Sequence, residues 1–151
     1  MLRHTLATLA YRAGTALRGA PAGFEAFRAA EDSRTAGQIL AHMGDLMDWA
    51  ASIVEGKETW ADSPARSWDA DVSRFFDSVA RFDALLAGPL GKGAPAERLF
   101  QGPIADSLTH VGQLAMLRRL AGAPVRGQNY SRADIVAGRI GLDQVAPKRE
   151  F

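Results

Sequence analysis

Three side chains in this sequence have the types and the spacing to hold a cation. Asp106 and His110 stand four residues apart in the stretch DSLTHVGQLAMLRRLAG, residues 106–122. On a helix that spacing puts both on one face, together with Leu114, Leu117 and Ala121. His42 lies in a second apolar stretch, three residues after Ile39 and four, seven and eleven before Leu46, Trp49 and Ile53. It therefore turns inward with them. A buried ionised carboxylate calls for compensation, because its desolvation costs several kcal/mol. Two imidazoles and one carboxylate from two helices make a sensible ligand set for a divalent ion. Three protein ligands also leave coordination positions free for water or substrate, which suits catalysis better than a purely structural site. Plainer readings of the same residues stand beside this one. A D-x-x-x-H spacing is common by chance, Asp106 can simply accept a hydrogen bond from His110 and orient it, and His42 can be a satisfied core histidine.

The elements that must position these groups follow from periodicity. Leu2, Leu6, Leu9, Ala13 and Leu17 recur at helical spacing and define a first helix over residues 2–18, stopped near Gly19 and Pro21. A connection follows over residues 20–34, in which Phe24 and Phe27 are candidates to plug one end of the fold. The second helix spans about Thr35 to Glu55: Thr35 and Gln38 match a capping box, and Gly56 suits the position just past the end. The segment KETWADSPAR reads as a loop. A third helix starts near Ser67 and carries the apolar stripe Val72, Phe75, Phe76, Val79, Phe82 and Leu86, with Asp69, Asp71, Arg74, Asp77 and Arg81 on its other faces. Gly88-Pro89 ends it, and the segment PLGKGAPAE is expected to have little order. The fourth helix runs from about Pro103 to Ala121, with Arg118 and Arg119 in its last turn and Gly122 and Pro124 beyond. The expected fold is all-α, an antiparallel four-helix bundle over residues 1–122, with a C-terminal extension over 123–151 that holds a short helix around Ser131–Ala137 and an extended, charged tail.

Composition narrows the function classes. The chain has 151 residues, is 47% hydrophobic and 23% charged, and carries a net charge of +1, values ordinary for one globular domain. There is no cysteine, which excludes disulfides, thiolate metal sites and cysteine nucleophiles. Lys and Arg are scattered rather than gathered into a stripe, so nucleic-acid binding has no support. No apolar run reaches the roughly 18–20 residues of a membrane span. The Arg-rich N-terminus lacks the uninterrupted apolar stretch of a secretory signal, and a cytoplasmic location is the expectation. Dinucleotide-binding, phosphate-loop and serine-elbow motifs are absent from the sequence.

The stretch TAGQILAHMGDLMDWA, followed far downstream by DSLTHVGQLAMLRRLAG, resembles the DinB/YfiT-like superfamily of small bacterial four-helix proteins. Members of that superfamily carry a histidine in the second helix, within a pattern that His42, Asp45 and Trp49 fit. They also carry a fourth-helix motif of two metal-ligating histidines four residues apart followed by Gly-Gln. Aligned on Gly112 and Gln113, the second of those histidines is His110 and the first falls on Asp106. The resemblance covers roughly residues 1–122. It implies a divalent metal (zinc, nickel, iron or manganese) held by His42, Asp106 and His110, activating a low-molecular-weight thiol or water for S-transfer or hydrolysis of a small-molecule substrate, and it implies a homodimer. Two departures matter. Aspartate for histidine adds a negative charge and favours harder ions, and Val111 replaces the family's common arginine, which puts in doubt any substrate contact that arginine makes. The alternative function is a non-catalytic helical metal-binding or dimerisation module.

Asp45, three residues after His42, serves either as a partner or base facing the same cavity, and so as the candidate catalytic residue, or as a surface carboxylate. Gln113 can bond a ligand or a bound water, or pack beside Gly112. Gly112 carries a helix cost of about 1 kcal/mol relative to alanine, which points to close helix approach. His4 fits an exposed or capping role, Met43 and Met47 fit core filling, and nothing in the spacing of Arg126 and Tyr130 requires them at the site.

Overall fold

The structure, a computed structural model, describes residues 1–148; the last part of the charged tail, residues 149–151, lies outside the described residues. Four main helices carry the fold: α1 (Leu2–Leu17), α2 (Ala36–Val54), α3 (Trp68–Ala87) and α4 (Ala105–Leu120). There is no β-strand among the described residues, and among them no helix is long and apolar enough to cross a membrane. The stripes that define the helices in sequence meet in one core. Leu6 and Leu9 of α1, Leu40, Met43 and Met47 of α2, Phe75, Val79 and Phe82 of α3, and Leu114 of α4 are essentially inaccessible to solvent. Phe24 closes one end, packed edge-on against Trp68 at 5.2 Å between ring centres.

The helix ends follow local chemistry. Thr35 caps α2 reciprocally: the Gln38 backbone N–H donates to Thr35 Oγ1 at 3.2 Å, and the Thr35 N–H donates to Gln38 Oε1 at 2.8 Å. Gly56, just past α2, takes φ +70°, a left-handed value that glycine adopts without a Cβ penalty. Buried Arg118 joins the ends of α1 and α4, donating to the carbonyls of Ala16, Arg18, Gly19 and Ala123 at 2.9–3.0 Å.

Three stretches differ from the sequence reading. Residues 89–99 are not a featureless loop: Pro89–Gly93 form a 3-10 turn and Ala96–Leu99 a helical turn, anchored by fully buried Leu99. That turn runs into a π-helical segment, Phe100–Ile104, before α4. Pro103, read from sequence as a first-turn residue, therefore sits inside a helical run. It has no N–H to donate, and the wider π turn accommodates the missing bond. Beyond α4, the expected helix over Ser131–Ala137 is only a 3-10 turn, Tyr130–Arg132. So short a segment needs a buried face to be stable, and Val136 is left exposed. The extension lies on α1: Gln128 Oε1 accepts from the Tyr11 hydroxyl at 2.9 Å, Arg12 lies 4.5 Å from the Tyr130 ring centre, and Arg18 donates to Leu142 O at 2.7 Å.

Candidate metal centre

His42 from α2 and the Asp106–His110 pair from α4 converge. One ligand atom from each residue lies within 4.8 Å of the other two. His42 Nε2 stands 3.5 Å from Asp106 Oδ2, and His110 Nε2 stands 3.4 Å from Asp106 Oδ1. The two imidazole rings meet edge to face, with centres 4.9 Å apart. These separations are too long for good hydrogen bonds, which cluster near about 2.9 Å. Each ring nitrogen faces a different oxygen of the Asp106 carboxylate at a separation close to the roughly 3.4 Å between adjacent ligand atoms of a tetrahedral ion with bonds of about 2.1 Å.

Each ligand is placed by its helix. His42 sits among Ile39, Leu46 and Ile53, all nearly buried, and its own side chain is 15% exposed. His110 is 10% exposed at the side chain. Asp106 differs from the expectation of a buried acid. Its carboxylate is 46% exposed and lies at the mouth of the site, so water meets much of the desolvation cost that sequence reasoning assigned to a partner. The π turn that precedes α4 ends at Ile104, two residues before Asp106, and Gly102 in it packs against the Trp49 ring, 3.6 Å from where a Cβ would stand.

The surroundings orient the rings. Gln113, one turn after His110, offers Oε1 to His110 Nδ1 at 2.8 Å. An amide oxygen only accepts, so Nδ1 is the donor of this bond, and the bond turns Nε2 toward Asp106. His42 Nδ1 is buried and has no hydrogen-bond partner among the described residues. Burial, then the charges of Arg34 and His110, hold the His42 pKa below the usual imidazole value despite the opposing pull of Asp106.

Asp45 is brought into a different cluster. It is 1% exposed and accepts from both the backbone N–H and the hydroxyl of Ser63, at 2.8 and 2.7 Å, and from Arg74 of α3. Arg74 also donates to Asp48 Oδ2 at 3.0 Å and to Ala41 O at 3.3 Å. Burial by itself pushes the Asp45 pKa up, but the bonds from Arg74 and Ser63 outweigh it and hold the carboxyl below the usual range. Both oxygens are therefore committed to fastening the 57–67 loop to α2. That loop is tied again where the Thr59 N–H donates to Ser52 Oγ at 3.0 Å and where the Arg66 N–H donates to Asp71 Oδ2 at 2.7 Å. So fixed, it carries Trp60 edge-on to His42 at 5.6 Å and to Trp49 at 5.8 Å. Trp49 Nε1 in turn donates to Glu58 Oε1 at 3.0 Å.

Sequence reasoning did not single out Trp60, Ser63, Arg74 or Arg34. The one signal for the loop was a tryptophan in an otherwise polar segment. His4 is exposed near the start of α1, and Met43 and Met47 are fully buried core residues.

Three cavities open around the cluster, each touching one ligand. A mainly apolar one of about 450 Å³ reaches His110, one of about 560 Å³ reaches His42, and one of about 430 Å³ beside Trp49 reaches Asp106. Space for small molecules therefore adjoins every ligand, which suits an open site rather than a closed structural one. Compared with protein families, curated proteins and solved structures, the chain has no match.

Proposed function

We propose that this protein is a divalent-metal-dependent enzyme built on an antiparallel four-helix bundle of the DinB/YfiT-like kind, acting on a small molecule with a thiol or water as nucleophile. The observation that carries this reading is the meeting of His42, Asp106 and His110 from two helices within 4.8 Å. The donor set fits the group. Two neutral imidazoles and one carboxylate suit zinc, nickel, iron or manganese, and a three-residue set leaves positions for reactants. When bound there, a divalent cation supplies Lewis acidity that lowers the pKa of a water or thiol toward neutrality.

The chain's own residues do the rest. Gln113 holds the His110 ring with Nε2 facing the other two ligands. Trp60 and Trp49 shield the His42 side, and the cavities beside each ligand admit the reactants. Asp45 is a positioning residue in this scheme, acting through Ser63 on the loop that carries Trp60.

Metal analysis of the purified chain, incubated in turn with zinc, nickel, ferrous iron and manganese, tests the reading. One ion per chain, lost in His110→Ala, is expected. Metal-dependent consumption of an electrophile in the presence of a low-molecular-weight thiol, or its metal-dependent hydrolysis, separates an enzyme from a non-catalytic module. Failure of all four ions to bind stoichiometrically overturns the proposal.

A further inference from the structure

Arg34 stands just before the α2 cap and is exposed. It lines both the apolar cavity that reaches His110 and the neighbouring cavity that reaches His42. Its guanidinium has no hydrogen-bond or ion-pair partner among the described residues. Arg98, near the Trp49 side of the centre, is by contrast paired with Glu58. Among the described residues, Arg34 is the one permanently cationic side chain lining either cavity. The floor of the 450 Å³ cavity beside it is hydrocarbon, from Ile39, Met116, Leu117 and Leu120. Met116 and Leu120 leave more than half of their surface exposed, at 53% and 57%.

A guanidinium without a hydrogen-bond or ion-pair partner, lining a mainly apolar cavity that also reaches His110, is complementary to one kind of small molecule. We infer that the substrate is a carboxylic acid with an apolar body: the carboxylate pairs with Arg34, the body lies in the cavity over Met116 and Leu120, and the reacting end faces His110. Guanidinium and carboxylate match as forks, with two parallel N–H···O bonds. A single guanidinium neutralises a monoanion, whereas a phosphate dianion calls for a second cation that neither cavity provides. The volume lies in the lower half of the range of ligand pockets, about 300–1,000 Å³, and admits a medium-chain acid such as octanoate. This inference rests on the proposed metal site for its reactive end, but its anchoring half does not.

Isothermal titration of the zinc-incubated full chain with octanoate and octanamide decides it, with zinc content measured on the same samples. Octanoate is expected to bind at least tenfold more tightly than octanamide. Arg34→Gln should weaken octanoate at least tenfold while retaining the wild-type zinc content. Hexanoate should bind more weakly than octanoate by roughly fourfold per methylene removed. Leu120→Glu, at an exposed position, should expel octanoate by placing a carboxylate in the trough. Equal affinity for acid and amide, or octanoate binding that Arg34→Gln leaves unchanged, overturns the inference even if zinc is bound. Octanoate binding that depends on Arg34 in a chain that takes up none of zinc, nickel, ferrous iron and manganese keeps the anchor and overturns the metal proposal instead.

Discussion

Asp45→Asn separates a positioning role from a proton-transfer role, because the two predict different things about the folded state. The native carboxylate is 1% exposed and accepts three hydrogen bonds, two from Ser63 and one from Arg74. Asparagine keeps one acceptor, loses the charge, and turns an N–H₂ toward groups that are themselves donors. Breaking one side of a buried ion pair costs about 3–5 kcal/mol. Arg74 is 19% exposed and keeps Asp48 and the Ala41 carbonyl, so the lower end, about 3 kcal/mol, is expected here. At about 2–4 °C per kcal/mol for a chain of this size, the melting temperature falls by roughly 6–12 °C. The loss depends on pH with a definite sign. The carboxyl is held below its usual value in the folded chain. Its contribution is therefore complete above the unfolded pKa of about 4 and disappears as pH falls through the folded value. Urea unfolding followed by tryptophan fluorescence should show the full gap between wild type and variant near pH 7 and a gap that shrinks as pH falls below the unfolded carboxyl value of about 4. Trp60 fluorescence should shift to the red as its loop loosens, with zinc content unchanged. A variant within about 0.5 kcal/mol of wild type at pH 7, or a gap that ignores pH, refutes the claim that Asp45 fastens the loop.

Zinc at a hundred times its dissociation constant should stabilise the wild type by about 2.7 kcal/mol, read as a rise in melting temperature, and His42→Ala, Asp106→Ala or His110→Ala should each abolish that rise. Gln113→Leu should weaken zinc by about tenfold to a hundredfold in a chelator competition while leaving one ion per chain at saturation, because it frees the His110 ring without removing a ligand. Gly44→Ala should lower the urea midpoint even though alanine gains about 1 kcal/mol of helix propensity; its Cβ would stand 3.1 Å from Arg74 Nη1 and push the guanidinium off its carboxylates.

The fold was legible wherever an apolar stripe ran long enough to need a partner. Thr35 and Gln38 marked the start of α2 to the residue, because a capping box is a local bond pattern that sequence spacing alone specifies. The π turn was not legible. Pro103 is as acceptable in a first turn as in a widened one, and only the burial of Leu99, upstream, extends the helical run back to Ala96. The convergence of His42 with Asp106 and His110 followed from two helical faces and one core. The Asp45 cluster did not, because it depends on Ser63 and Arg74, which lie 18 and 29 residues away. Arg74 read as a surface residue because its stem leaves the apolar stripe of α3, yet its head reaches across to α2 over Gly44.

The charge balance at the centre distinguishes the metal reading from the plainer one, in which Asp106 merely orients a histidine. A histidine serving as the cationic partner of a carboxylate has its pKa raised by that partner. His42 is driven the other way, by burial first and by Arg34 and His110 after it, and the pull of Asp106 does not overcome them. Near neutral pH it therefore offers a lone pair rather than a positive charge. Gln113 Oε1, bonded to His110 Nδ1 at 2.8 Å, holds that ring with Nε2 toward Asp106. Two ring nitrogens then face the two oxygens of one carboxylate at 3.4 and 3.5 Å, longer than good hydrogen bonds, with one negative charge among them. Exposure of the Asp106 carboxylate softens that imbalance without supplying a counter-charge. A divalent cation between the three groups satisfies each donor at once, whereas protonating His42 satisfies only one and works against its surroundings.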